Sequence, residues 1–204
     1  MEQTQARINI YALLSRVLLQ ELDETTLNII KKDPMIMDFL PQFKEWKPLA
    51  ELENKKLLEE YLNPDFVNLS VLHLIPYESF YVREDQMIET GGANPVTDMY
   101  SAYDFMVDYE AARTVSSDHI GVELEFMHHL AKAELKALEE GDTEAKVELQ
   151  RVQKEFLNKH LLRWAPIYLL NMKFEARTPL YFDAADMALE FILSDNEYLV
   201  GELK

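Results

Sequence analysis

The chain has 204 residues, 48% hydrophobic and 28% charged, with a formal net charge of −17 and no cysteine. That is the composition of a soluble globular chain with ample length for a core. The charge excludes nucleic-acid binding, which sets Lys and Arg against phosphates, and the missing cysteine excludes disulfides, thiolate metal sites and a Cys nucleophile.

Helical periodicity governs the order of elements. Ile8, Tyr11, Leu14, Leu18 and Leu22 recur at spacings of three or four, which predicts an amphipathic helix from Gln3 to near Asp23. Asp23 or Thr25 caps a short helix that Pro34 ends, and Pro41 and Pro48 break the next stretch into short helices. Leu49–Leu62 reads as a helix, and Asn63-Pro64-Asp65 opens another through Leu72. Thr90-Gly91-Gly92-Ala93-Asn94-Pro95 is a connection rich in turn residues. A helix is expected from Val96 to about Tyr109, then a loop from Glu110 to Ser117.

Ser117 or Asp118 suits the N-cap of a long helix that Gly141-Asp142 ends near Glu140. Thr143 caps the next, through Phe156; an apolar stretch follows from His160 to about Phe174, with Pro166 opening or kinking it. The last helix is placed from Asp183. With no convincing strand alternation and no internal repeat, the chain reads as all-α, with roughly eight to eleven helices. One globular domain over 1–204 is expected, with a possible internal connection near 84–95.

No apolar run approaches the roughly 20 residues of a membrane span, and the N-terminus lacks the pattern of a secretory signal. A cytoplasmic protein with no stable membrane insertion is therefore expected. Its acid is unevenly placed: from Glu84 to Glu125 there are ten Asp and Glu residues against one basic residue, Arg113. This is either a solvated face or a field for a basic peptide.

The densest polar stretch is Asp118–Leu130, with three of the five histidines and three carboxylates. On a helical projection Glu123 falls inside the apolar arc of Ile120, Leu124, Met127 and Leu130, with His119 at its edge. Glu125, His128 and His129 project from other sides and read as solvated. Glu123 and Glu134 both fall on the apolar side, where an ionised carboxylate needs a partner. For Glu123 that partner is His119 or an incoming cation. Glu125 and His128 have the Glu-x-x-His spacing of di-iron bundles, which keeps open a metal-dependent helical-bundle enzyme. The second Glu-x-x-His of such a site is missing, and no nucleophile elbow or phosphate loop appears. Without a ligand, Asp118 caps the helix while His119 and Glu123 form a polar latch.

Asp118-His119-Ile120-Gly121-Val122-Glu123-Leu124-Glu125-Phe126-Met127 resembles the Asp-His segment of the TorD/DmsD/NarJ family of redox-enzyme maturation chaperones. Pro76-Tyr77-Glu78-Ser79-Phe80-Tyr81 is similar to that family's second signature. Tyr11–Arg16, His160–Pro166 and Thr178–Tyr181 resemble its other helices, in the expected order. The chain departs from the pattern at Ser116 and Arg163, where the family commonly has proline, and at Leu18, where an aromatic is common. These departures bear on the groove and hence on the client.

The resemblance implies an all-helical cytoplasmic chaperone, not an enzyme and with no cofactor. It would bind the twin-arginine leader, the body, or both, of a molybdenum-cofactor oxidoreductase precursor until cofactor insertion and export. It further implies a peptide site in which Glu78, Asp118 and Glu123 receive arginines beside Tyr77, Phe80, Tyr81 and His119. The protein is then a monomer or a domain-swapped dimer, the Thr90–Pro95 connection serving as hinge.

Overall fold

The computed structural model describes residues 1–91 and 94–203. Gly92 and Ala93, central to the Thr90–Pro95 connection, lie outside the described residues. Among those described the chain is all-α, as expected. Twelve uninterrupted helical stretches form once α-helices joined through π turns are counted together. The proline-rich part alone supplies three short ones, Pro34–Asp38, Pro41–Lys44 and Lys47–Glu51.

Two compact units are distinguished: residues 1–19, 77–166 and 191–204 form one, and residues 20–76 and 167–190 the other. The first unit is built on the N-terminal helix Glu2–Leu19, the Ile120–Glu140 helix and the Thr143–Phe156 helix. Tyr11, Leu14 and Leu18 are fully buried there with Phe126, Leu130 and Phe156. Each such side chain contributes roughly 1.5–3 kcal/mol by leaving water. The two long helices meet closely at Gly121, where a Cβ would stand 2.6 Å from Leu19 Cβ and 2.8 Å from Leu19 Cα. Ser15 Oγ donates to Gly121 O across this contact at 2.8 Å.

A second set of contacts in this unit is polar. The buried Arg7 guanidinium donates to Glu134 at 2.7 Å, to Asp195 at 2.5 and 3.0 Å and to Gln153 at 2.5 Å. Tyr11 Oη adds a bond to Asp195 at 2.6 Å, and Gln150 and Gln153 donate to Glu134. Arg7 is thus the cation that Glu134 was expected to need. The neighbouring acids, chiefly Asp195, hold the guanidinium above its ordinary range despite its burial.

In the second unit the helix Glu24–Lys32 starts at Asp23, whose carboxylate accepts from Thr26 N at 2.7 Å, as expected. Residues 54–73 run without a break, π turns at Leu58–Leu62 and Asn68–His73 alternating with α turns. Pro64 lies in the second of those α turns rather than starting a separate helix. Asp65 accepts from Arg177 N, Thr178 N and Thr178 Oγ1 ahead of the Pro179–Glu202 helix. That helix starts four residues earlier than the expected Asp183, with Pro179 at its first position.

Three other boundaries differ from expectation for local reasons. The helix expected from Val96 to Tyr109 stops at Ala102. Asp104 takes a left-handed φ of 53°, Phe105 N bonds Tyr100 O at 2.9 Å, and the two rings pack edge to face. This is a Schellman ending without its usual glycine. Asp142, not Thr143, caps the Thr143–Phe156 helix, accepting from Ala145 N at 2.9 Å. Pro166 lies inside the Leu162–Glu175 helix, directly after the π turn Leu157–Leu161.

Candidate functional site

Asp118 is wholly buried at the turn before the Ile120–Glu140 helix, within the first unit. It does not cap that helix, contrary to expectation. Its Oδ2 accepts from Ser79 N at 2.7 Å, 39 residues away, and its Oδ1 from Ser116 Oγ at 2.5 Å and Asn94 Nδ2 at 3.0 Å. Its carbonyl accepts from Glu78 N at 3.0 Å. The short helix Glu78–Val82 has no side-chain cap of its own at Tyr77, so Asp118 satisfies its first amides. The N-cap of the long helix is His119, whose Nδ1 accepts from Gly121 N at 3.1 Å. This bond sets the tautomer with hydrogen on Nε2. Burial lowers the His119 pKa to about 4 against a smaller opposing pull from Asp118. A neutral His119 is therefore not the ionic partner of Glu123.

Glu123 and Glu78 are both fully buried. Glu123 Oε2 accepts from Trp164 Nε1 at 3.3 Å, and Glu78 Oε2 stands 2.9 Å from His160 Nδ1. The second oxygen of each carboxylate, Oε1, has no hydrogen-bond partner among the described residues. Burial, then the charges of Glu78 and Asp118, push the Glu123 carboxyl well above the usual range; the indole N–H opposes this only weakly. Glu123 is thus pushed toward its protonated, neutral form.

The aromatic residues form the accessible part. Tyr77, Phe80 and Tyr81 are half-buried. Tyr81 stacks on the buried Trp164 ring, with centroids 5.4 Å apart and planes at 29°, and Phe80 meets Tyr81 edge to face. Burial pushes the Tyr81 phenol up to about 12, so it stays neutral. Tyr77 pairs with His119 through an isolated backbone bridge and a ring contact at 5.1 Å, and its hydroxyl lies 3.0 Å from Thr114 Oγ1.

The acidic segment joins this site through Ser117, whose hydroxyl lies 2.5 Å from Tyr109 Oη. Between Asp104 and Asp108 exposure alternates: Asp104, Met106 and Asp108 face outward while Phe105 packs on Tyr100, Phe126 and His129. Met106 is 91% exposed, the highest value among the large apolar residues.

The sequence-predicted residues therefore divide by accessibility. Tyr77, Phe80 and Tyr81 reach solvent, while Glu78, Asp118, His119 and Glu123 lie beneath them. The Glu125 side separates as projected, although its histidines are not simply solvated. His128 Nδ1 lies 3.1 Å from Ile8 O, and His129 Nε2 lies 3.0 Å from Tyr103 O. Among the described residues no three His, Asp or Glu side chains are placed to hold a metal ion. His160 and Trp164 are the site residues that helical projection missed. Their signal was the His160–Pro166 motif, which sets a histidine and an indole four residues apart.

A family model described as nitrate reductase delta subunit matches residues 35–168. The chain belongs to that family. Within it the chain is 26% identical to the chaperone protein TorD of Photobacterium profundum over 210 residues, covering 96% of this chain and 95% of the relative. It is 25% identical to TorD of Vibrio atlanticus over 161 residues, with 76% and 71% covered. A perchlorate reductase assembly chaperone of Dechloromonas aromatica is 29% identical over 103 residues, with 48% and 43% covered. The expected TorD/NarJ family is thus borne out. This delta-subunit family member is a chaperone of redox-enzyme maturation rather than an enzyme, and no relative favours a metal-dependent reaction at Glu125 and His128.

Proposed function

We propose that this chaperone binds the precursor of a molybdenum-cofactor oxidoreductase and docks its twin-arginine leader on the first unit, in the cytoplasm, before cofactor insertion and export. The carrying observation is the pairing of half-exposed Tyr77, Phe80 and Tyr81 with an acidic segment that turns Asp104, Met106 and Asp108 outward. A leader with paired arginines and a following apolar stretch needs both properties in its receptor. Charge speeds encounter and selects basic partners, while the apolar stretch gains from aromatic and Met surface, which adapts to varied side chains. Cation–π contact with Tyr81 or Phe80 adds about 0.5–2 kcal/mol per arginine. Of the residues assigned to the peptide site, Tyr77, Phe80 and Tyr81 make the first contact, and Glu78, Asp118, His119 and Glu123 form the layer below.

The test is calorimetric titration of the purified chain with a synthetic leader peptide carrying paired arginines and an apolar segment. Micromolar or tighter binding is expected, weakened by salt and by Phe80→Ala or Tyr81→Ala. A wild-type chain that shows no heat of binding to leaders of the oxidoreductases encoded with it would defeat this reading.

A further inference from the structure

The Leu162–Glu175 helix is apolar on two opposite sides. Trp164, Tyr168, Leu169 and Met172 are buried on its inner side. On its outer side Ile167 is 52% exposed, Leu170 50% and Phe174 87%. At 100° per residue these three fall within about 60° of one another, a single stripe at three- and four-residue spacing. A helix apolar all round is ordinarily covered all round, whereas this one leaves a row of large side chains in water.

Both ends of the stripe are cationic. Arg163 stands one turn before Ile167 in the same outer row, and Arg177 follows Phe174 just past the helix end; both are exposed. Among the described residues neither guanidinium has a carboxylate within 4.0 Å, while Lys173 is already paired with Asp186. From 162 to 177 the chain carries three bases and one acid, in a protein of 37 acids and 20 bases. The sign of the charge is thus reversed at the place where apolar side chains are left open.

We infer that this stripe is a docking face for an acidic amphipathic helix of a partner protein, one with apolar residues at matching spacing and a carboxylate near each end. Ile167, Leu170 and Phe174 pack against its apolar face, and the arginine forks take the terminal carboxylates. Arg163 to Phe174 spans about 16 Å at 1.5 Å per residue, so a partner helix of about three to four turns matches it. Charge selects this occupant over a second copy. Antiparallel self-pairing about Leu170 would set the Arg163 end of one stripe against the Arg177 end of the other, and parallel pairing would set each arginine beside itself. An anionic lipid surface matches the arginines but repels a chain of net charge −17. The face shares no residue with the aromatic cluster assigned to the leader, so its occupancy does not depend on that reading.

The test uses a labelled peptide helix with leucines at three- and four-residue spacing and glutamates at both ends, beside a copy with glutamines in place of the glutamates. Fluorescence anisotropy with the full chain at low salt should show the glutamate peptide binding about three- to tenfold tighter, as two exposed ion pairs supply. Phe174→Ser should weaken both peptides about tenfold or more without shifting the thermal midpoint, since the ring lies in water. It should leave binding of the paired-arginine leader unchanged. Arg163→Gln with Arg177→Gln should erase the difference between the two peptides. Absence of binding, equal affinities for the wild type, or no response to Phe174→Ser overturns the docking face. Self-association in sedimentation equilibrium, or flotation with phosphatidylglycerol vesicles, overturns it too if Phe174→Ser abolishes either one. The stripe would then belong to a second copy or to lipid.

Discussion

His119 shows how a single buried ring converts position into pH sensitivity. Its Nδ1 accepts the Gly121 amide, so a proton added there would face a donor, and burial disfavours the charge further. The folded pKa, about 4, lies below the ordinary value of about 6.5. Stability from neutral His119 is therefore fully present above about pH 6.5 and is lost as pH falls toward 4, on the order of 2–3 kcal/mol across that window. Asn is a strong N-cap with no titrating ring, so His119→Asn should keep the helix start and flatten this acid limb. Urea midpoints at pH 7.5, 5.5 and 4 for both proteins check it. Parallel curves would show that the ring does not titrate in this range. Helical projection offers His119 or an incoming cation as the partner of Glu123, and both residues are buried as it predicts. Projection shows which residues share a face but not that Trp164 supplies the donor and Gly121 claims the imidazole.

The helices themselves were largely legible where apolar residues repeat at 3.6. Ile120–Glu140 ends at Gly141 in the left-handed region with φ 73°, as its glycine predicted. The errors gather at short helices, which carry little periodicity and are capped from far away. Asp118 bonds Ser79 N at the start of Glu78–Val82, and Asp183 bonds Phe43 N at 2.8 Å within Pro41–Lys44. In each case the cap lies on a different element, so no local capping rule finds it. The close approach at Gly121 is of the same kind. Gly121→Ala gains about 1 kcal/mol of helix propensity but drives its Cβ into Leu19 backbone and side chain. The clash should win, with a net loss of roughly 2–3 kcal/mol, at the upper end for overpacking because backbone cannot move aside. Chemical denaturation measures it; an unchanged or raised midpoint would mean the helices separate freely there.

At the scale of the whole chain, Arg7 ties the N-terminal helix to the central and C-terminal helices of the first unit through Glu134, Gln153 and Asp195. Removing it leaves two carboxylates buried without a cation. Arg7→Ala should therefore cost about 3–5 kcal/mol at pH 7. The triple replacement Arg7→Met, Glu134→Gln, Asp195→Asn, which removes all three charges together, should lose much less. Thermal unfolding of the three proteins separates the outcomes. Equal losses in the single and triple variants would show that packing, not charge, matters at Arg7.

Among the described residues no helix is long and apolar enough to cross a membrane, in line with the interrupted hydropathy of the sequence. Sequence alone determined the helical class, the long helices with most of their ends, and the family. These follow from local periodicity, turn residues and charge, which do not depend on where distant segments lie. Tertiary structure alone decided that Glu134 meets Arg7, that Asp118 caps the Glu78–Val82 helix, and that Glu78 and Glu123 are fully buried, each with one oxygen unpartnered among the described residues. Those outcomes depend on burial and on partners 39 to 127 residues apart. A carboxylate's protonation and reach are set by that three-dimensional surrounding, which no sequence window contains.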